Sequence, residues 1–275
     1  MAISTKVINR LTAGVKKFLP ILASAKARDV NESDTVIIVT DMLADVFGFD
    51  KYSEITSEFL IRGTYCDLAV KVGGKVELLM EVKPIGSDLK EAYIKQAVDY
   101  AANQGIEWVV LTNAMRWMVY RVVFAQPIGQ ELVFELDFSA LEARSEAQLE
   151  LLFMLTKEGL TKSRLDDYHS QRQAMSRFFL GAMILSEPVL AVIRRELRRV
   201  SPDVKIECED IANVLRAEVL KREVIEGEKF DEATRKIVKS QGRMLRKLVN
   251  EPEEKPRSGE LPAEPKAPLP PASPK

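Results

Sequence analysis

Cysteine and histidine are nearly absent from this chain: two cysteines, Cys66 and Cys208, and one histidine, His169, in 275 residues. A disulfide framework and a zinc finger are excluded at that count. One histidine also makes a His-based metal cluster or a Ser-His-Asp triad a poor basis for chemistry. No run of about 18 apolar residues could span a bilayer, so no membrane partner is expected. Between Met1 and Pro20, Lys6, Arg10, Lys16 and Lys17 interrupt any continuous apolar stretch of the kind a secretory signal needs. Excess charge is missing as well. Lys+Arg 40 against Asp+Glu 41 gives a formal net charge of -1, so any nucleic-acid surface must be local. These absences point to a cytoplasmic protein whose chemistry rests on carboxylates and lysine.

What is present can build a core. Hydrophobic residues make up 46% and charged residues 29%, and at ~100–200 residues per domain the length suits one large domain or two small ones. Eight of the 13 prolines fall in 251–275, among Glu, Lys, Ala and Ser. That composition buries too little apolar surface to offset ordering entropy, and a disordered tail is expected there.

Ahead of the tail, the pattern changes period twice. A helix is expected over 4–26, interrupted or kinked near Pro20, and a second from Asn31 to Phe47. Asn31 suits its N-cap, Gly48 its end, and Val36, Val39, Leu43 and Phe47 form its apolar stripe. From Ile55 to Phe138 the period becomes two, with strands expected at 55–61, 65–72, 75–83, 107–112, 117–124 and 131–137, and one helix at 88–104. The fold class is therefore α/β, a mixed sheet flanked by helices. From Ala140 to Val249 the pattern is helical again, with breaks near Lys162–Asp167, Glu187–Pro188 and Ser201–Asp203.

The hairpin at 65–83 carries the most informative chemistry. A three-residue loop, Gly73-Gly74-Lys75, would pair Val72 with Val76, Val70 with Leu78 and Leu68 with Met80. That keeps apolar side chains on one face, whereas a slip of one residue would turn a whole strand's buried set outward. On the opposite face Asp67 then stands across from Glu81, with Lys83 two residues further on. Facing carboxylates with Cβ atoms roughly 4.5–5.5 Å apart repel unless a cation lies between them, and a hard ion such as Mg²⁺ suits them. A neighbouring lysine can orient a water and stabilise developing phosphate charge. The same residues can equally be ordinary charges on a solvated strand, as Lys71 and Glu77 are read.

Two helices add to the constellation. In helix 88–104 the inward stripe is read as Leu89, Ala92 or Tyr93, Gln96 and Tyr100, so that Gln96 interrupts an apolar face directly before Tyr100 at i, i+4. In helix 31–47, Glu32 extends the apolar stripe at its N-terminal end, either as a helix-start residue or as a ligand.

Asp67, then Glu81-Val82-Lys83, then Gln96-x-x-x-Tyr100 resembles the PD-(D/E)xK nuclease superfamily. More narrowly it is similar to the N-terminal nuclease domain of the type I restriction enzyme R subunit. Asn31-Glu32, Phe47-Gly48-Phe49-Asp50 and Thr112-Asn113 before Trp117 agree with that context, over about residues 28–125. The resemblance implies a restriction-endonuclease-like domain, set at 1–139, and the helical pattern makes 140–250 a separate region of unassigned role. It implies Asp67 and Glu81 as metal carboxylates, Lys83 as the catalytic lysine, Gln96 and Tyr100 as an accessory pair, and Glu32 as a supplementary carboxylate. The cofactor implied is Mg²⁺, with Mn²⁺ an alternative, the substrate DNA, and the partners other restriction-modification subunits or a second copy. Cys66 stands where the name motif has proline. No Gly-x-x-x-x-Gly-Lys-Ser/Thr loop is present, so neither an ATP site nor a motor is expected, and the chain reads as a stand-alone relative.

The helical region matches no motif. Arg194, Arg195, Arg198 and Arg199 crowd one helix and either contact phosphates or form a solvated face paired with neighbours such as Glu196. Three readings of the whole remain: a Mg²⁺-dependent DNA endonuclease of a restriction or defence system, a non-catalytic DNA-binding or protein-interaction module that retains the fold, and a structural protein in which the motif is accidental.

Overall fold

The structure, a computed structural model, describes residues 3–61, 64–141 and 145–250; the tail expected at 251–275 lies outside them. Helix α1 spans Thr5–Ala27 and buries Val7, Leu11, Val15, Phe18, Leu22 and Ala25, a stripe at three- and four-residue intervals that faces the sheet. The expected interruption at Pro20 is absent: the helix runs through it. Pro20 lies on the exposed face with Lys16, where water can satisfy the carbonyl its missing N–H leaves free.

Helix α2, Glu32–Asp45, starts as its sequence dictates, with Asn31 accepting from the Asp34 N–H at 2.9 Å. Its buried face differs from the expected stripe. Thr35, Val39, Met42 and Leu43 are buried within the helix, while Val36 only packs at the margin. Thr35 can turn inward because its hydroxyl donates to the Asn31 carbonyl at 2.7 Å.

Six strands follow: β1 Ile55–Ile61, β2 Thr64–Val72, β3 Lys75–Val82, β4 Trp108–Thr112, β5 Arg116–Val123 and β6 Gly129–Asp137. They lie in sequence order, antiparallel throughout except for the parallel β3–β4 pair. The crossover between those two is a 3₁₀ turn, Glu91–Ile94, and helix α3, Lys95–Gln104, the helical connection a parallel pair requires. Gly105 closes α3 at φ 68°. The helix expected from residue 88 thus begins later, with 83–90 forming a loop.

Each face of the sheet has its own core. Leu68, Val70, Leu78, Met80, Val82, Val110 and Trp117 pack with α1 and α2. Ala69, Leu79, Val109, Leu111 and Tyr120 pack with Ile94, Ala97, Val98 and Ala101. All of β4 is consequently buried, as expected of a strand covered on both sides.

The β2–β3 hairpin follows the expected register only away from its turn. Leu68 pairs with Met80 and Val70 with Leu78, but Val72 pairs with Lys75 and Lys71 with Val76. The turn is the two-residue Gly73-Gly74, with φ +60° and +83°, values that only glycine adopts without strain and that suit a tight hairpin. A bulge at Val70/Lys71 absorbs the mismatch and leaves Glu77 as the extra residue. Val76 consequently faces the α3 core rather than joining Leu78 and Met80.

Helices α4 Glu146–Met154, α5 Lys157–Thr161 and α6 Arg164–Ala174 come next. Leu149, Leu152, Phe153 and Leu165 complete the α1 core, so the first compact unit runs Met1–Gln173 rather than ending near 139. The second unit begins at Ala174. It contains α7 Arg177–Ile184, α8 Glu187–Val200, α9 Cys208–Val214, a π-helical turn Leu215–Val219, α10 Arg222–Ile225 and α11 Glu228–Asn250. The break expected near Glu187–Pro188 falls directly before them, between α7 and α8, and Glu187-Pro188 opens α8 because proline fits the first helical turn. Among the described residues no helix is long and apolar enough to cross a membrane.

Candidate active site

Asp67, Glu81, Lys83 and Glu32 converge at the C-terminal end of β3. Three pieces of local structure bring them together. The bulged hairpin retains the Leu68–Met80 pair, and Asp67 and Glu81 are the next residues outward on the face opposite Leu68 and Met80. Lys83 follows β3 directly and continues its pairing to β4, its N–H donating to the Thr112 carbonyl at 2.8 Å. Glu32 is the first residue of α2.

The side chains form one ion-pair cluster. Lys83 Nζ lies 2.8 Å from Glu81 Oε1 and 3.3 Å from Glu32 Oε2. Asp67 Oδ2 accepts the Val82 N–H at 2.7 Å, which fixes the carboxylate against the strand. Lys83 and Glu81 are 17% and 18% exposed at the side chain, Glu32 45%, so a shielded pair opens onto a wetter rim.

Burial pushes the Asp67 carboxyl above its ordinary value, against the opposing pull of the Val82 N–H and the Lys83 charge. Glu81 is pushed up first by burial and also by Asp67, although the Lys83 hydrogen bond works the other way. For Lys83, burial favours the neutral amine, but the Glu81 hydrogen bond and the charges of Glu81, Glu32 and Asp67 outweigh it and raise the pKa. The lysine is therefore an ammonium held by acids. Three carboxylates face one ammonium, which leaves an excess of negative charge that a divalent cation would neutralise.

Among the described residues no group of three or more His, Cys, Asp or Glu side chains is arranged as a metal cage. The donor set nonetheless fits Mg²⁺, which takes oxygen ligands, keeps several waters, and is typically held by one or two carboxylates plus substrate phosphate. Asp67 and Glu81 are the residues that would hold it.

The other sequence candidates are placed differently. Gln96 donates to the Tyr100 hydroxyl, but Gln96 is exposed and Tyr100 half-buried. The inward face of the crossover is Ile94, Ala97, Val98 and Ala101, so the expected stripe through Gln96 is displaced by one residue. No hydrogen bond or ion pair between described residues ties Gln96 or Tyr100 to the four-residue cluster. Tyr93, read as part of that inward stripe, instead lies outside with its ring centroid 5.9 Å from Lys83 Nζ and is 37% exposed. Helical periodicity puts Tyr93 in the core only if the segment is an α-helix, and the chain makes a 3₁₀ turn there.

The arginine cluster belongs to the second unit and is paired. Arg194 and Arg198 lie 3.2 and 3.7 Å from Glu207, Arg195 and Arg199 3.0 and 2.9 Å from Glu196. That is the solvated, self-paired face its sequence allowed.

Cys66, beside Asp67, is fully buried and donates to the Met80 carbonyl at 3.1 Å. Burial pushes its thiol up to about 12, which makes it packing and not a nucleophile.

No family model, curated protein or solved structure matches the chain.

Proposed function

We propose that the protein is a Mg²⁺-dependent deoxyribonuclease of the PD-(D/E)xK type, an R-subunit N-terminal-domain-like member of a cytoplasmic restriction or defence system. One observation supports this reading above the rest. The three residues that the motif requires, Asp67, Glu81 and Lys83, are adjacent in space, with Lys83 bonded to Glu81 at 2.8 Å and Asp67 oriented by a backbone N–H.

Mg²⁺ or Mn²⁺ held by Asp67 and Glu81 would supply Lewis-acid polarisation of the phosphate and lower the pKa of a bound water. The protein's own residues supply positioning. Lys83, kept charged by its acids, donates from Nζ to the attacking water or to a non-bridging phosphate oxygen as charge develops. Glu32 restrains that ammonium from the α2 side, and Val82 keeps Asp67 Oδ2 turned inward. Attraction to DNA would come from the bound metal ion and a local basic surface, since the chain as a whole carries no basic excess and the site itself is acidic. Other restriction-modification subunits or a second copy are the protein partners this reading carries.

The second reading, a non-catalytic DNA-binding or protein-interaction module, is favoured by one feature: Lys83 already satisfies Glu81 and Glu32, so the cluster is also a self-contained ion-pair network. Incubating plasmid and linear DNA with the protein and Mg²⁺ or Mn²⁺ separates the two. Metal-dependent nicking that Asp67→Ala and Lys83→Ala both abolish is expected. An inert wild type that binds DNA as well as both variants would overturn the catalytic assignment.

A further inference from the structure

Asn113 is a buried amide to which the catalytic reading gives no task. It is 5% exposed and follows β4 directly, one residue beyond Thr112, whose carbonyl takes the Lys83 N–H. Its Oδ1 accepts the Met115 and Arg116 N–H groups at 3.1 and 2.8 Å, which closes the tight turn into β5. Its Nδ2 donates to the Ile85 carbonyl at 3.3 Å and to the Ser87 carbonyl at 3.0 Å. Only this orientation of the amide satisfies both sides, and it uses both donors and both acceptor sites of the group.

The two carbonyls belong to the loop that leaves Lys83. Pro84 has no N–H with which to continue the pairing to β4, so the chain departs from the sheet at once. Of residues 84–88 only Ile85 is buried, which leaves the loop little packing of its own. Among the described residues it makes one internal hydrogen bond, from the Ser87 N–H to the Pro84 carbonyl at 2.9 Å; Asn113 supplies two more. Lys83 is thereby held from both sides, by Thr112 at its own N–H and by Asn113 from two residues on. Its Nζ must meet Glu81 and Glu32 from that short span, and a flexible four-carbon stem holds one geometry only from a fixed backbone.

Resting on the nuclease reading above for its catalytic consequence, we propose that Asn113 is a positioning residue of the site. Its carboxamide locks the 84–88 loop and through it fixes Lys83 against Glu81 and Glu32. Asn113→Asp releases one side of this arrangement only. It keeps an oxygen for the Met115 and Arg116 N–H groups but turns an acceptor, instead of a donor, toward the Ile85 and Ser87 carbonyls.

The test reads Lys83 itself, with no DNA and no metal. The full chain is treated with an amine-acetylating reagent for increasing times, and peptide mass spectrometry gives the labelling rate of each lysine. Lys75, exposed at the hairpin turn, is the internal standard. Asn113→Asp should raise the Lys83 rate relative to Lys75 about tenfold, the opening expected when two hydrogen bonds of ordinary net strength are lost. Gly105→Ala strains the same unit at φ +68°, where a Cβ meets nothing within 4 Å, and should leave the Lys83 rate unchanged. In the cleavage assay Asn113→Asp should lower kcat about tenfold with KM unchanged, since a displaced catalytic group costs rate and not binding. Labelling of Lys83 at the wild-type rate in Asn113→Asp, or a rise that Gly105→Ala matches, would overturn the proposal. So would an accessible Lys83 with unchanged kcat. Absent cleavage by the wild type is failure of the nuclease reading, and the labelling rates still decide whether Asn113 fixes Lys83.

Discussion

Glu32 and Lys83 lie 51 residues apart in the chain and meet at 3.3 Å. Their contact fastens the start of α2 to the end of β3 and makes Lys83 the shared cation of an otherwise acidic cluster. With Glu81 at 2.8 Å on the other side, the ammonium has two carboxylate partners, and Asp67 is left with a backbone N–H alone. The charge balance of the cluster is therefore unfavourable in the resting protein, as is common where binding or catalysis has been favoured over stability.

Asp67→Asn should stabilise the fold at neutral pH. The folded Asp67 carboxyl holds its proton to a higher pH than the ordinary value of 3.8. A group of this kind favours folding below its unfolded pKa and loses that advantage as pH rises through its folded pKa. At neutral pH the ionised side chain is thus a net cost, while asparagine can still accept the Val82 N–H. Urea denaturation should show a gain of about 1 kcal/mol at neutral pH, shrinking to nothing below the carboxylate range. No gain at neutral pH would show that the Val82 bond and Lys83 already offset the burial.

Mg²⁺ should raise the melting temperature of the wild type, since a ligand that binds only the folded state stabilises it by RT ln(1 + [L]/Kd). The same titration of Asp67→Asn or Glu81→Gln should give a much smaller shift, because each removes one of the two carboxylates assigned to the ion. Thermal melts in Mg²⁺, with K⁺ at matched ionic strength as control, measure this without any activity assay. Equal shifts in all three proteins would place the ion elsewhere.

Much of the fold is legible in the sequence, and the departures have local causes. All six strands form where alternation predicts them, Asn31 opens α2 as expected, and α3 ends at Gln104, where the sequence pattern ends it. The Asp67–Glu81–Lys83 group is readable because strand periodicity is two and a paired register carries it across the hairpin. Two departures share one origin, local backbone geometry that no periodicity encodes. The bulge at Val70/Lys71 turns Val76 to the other face, and the 3₁₀ turn before α3 carries Tyr93 out to Lys83. Glu32 is ambiguous in sequence because its partner Lys83 is 51 residues away; only the packing of α2 on the sheet brings the two together.

Acid should weaken the fold through Glu158. The Arg10 guanidinium bonded to it holds its carboxyl below the ordinary value of 4.5. Stability from a depressed carboxylate is present above the unfolded pKa and is lost as pH falls through the folded value. Arg10→Met removes this coupling, so the variant should lose stability at neutral pH and show a shallower decline on acidification below 4.5. The carboxylate is partly exposed and screened, which keeps its ion-pair share to about 1 kcal/mol or less. Urea midpoints measured across the acid range, wild type against variant, report both effects; parallel acid limbs would rule the pair out as their source.

Gly48 should prove far less replaceable than its place in a loop suggests. It holds φ +82°, and a Cβ there would come within 2.5 Å of the Arg10 guanidinium. That guanidinium is itself fixed: Nε donates to the Val46 carbonyl at 3.1 Å and Nη1 to Glu158 at 2.8 Å. Gly48→Ala therefore meets two penalties, a left-handed backbone that alanine disfavours by about 1 kcal/mol or more and a clash with an ion pair. The two penalties can be separated in a double-mutant cycle with Arg10→Met. If the clash matters, Gly48→Ala costs markedly less in the Arg10→Met background than in the wild type, and the remainder is the backbone cost. Identical costs in both backgrounds would assign the whole effect to φ and show that Arg10 yields to the methyl group.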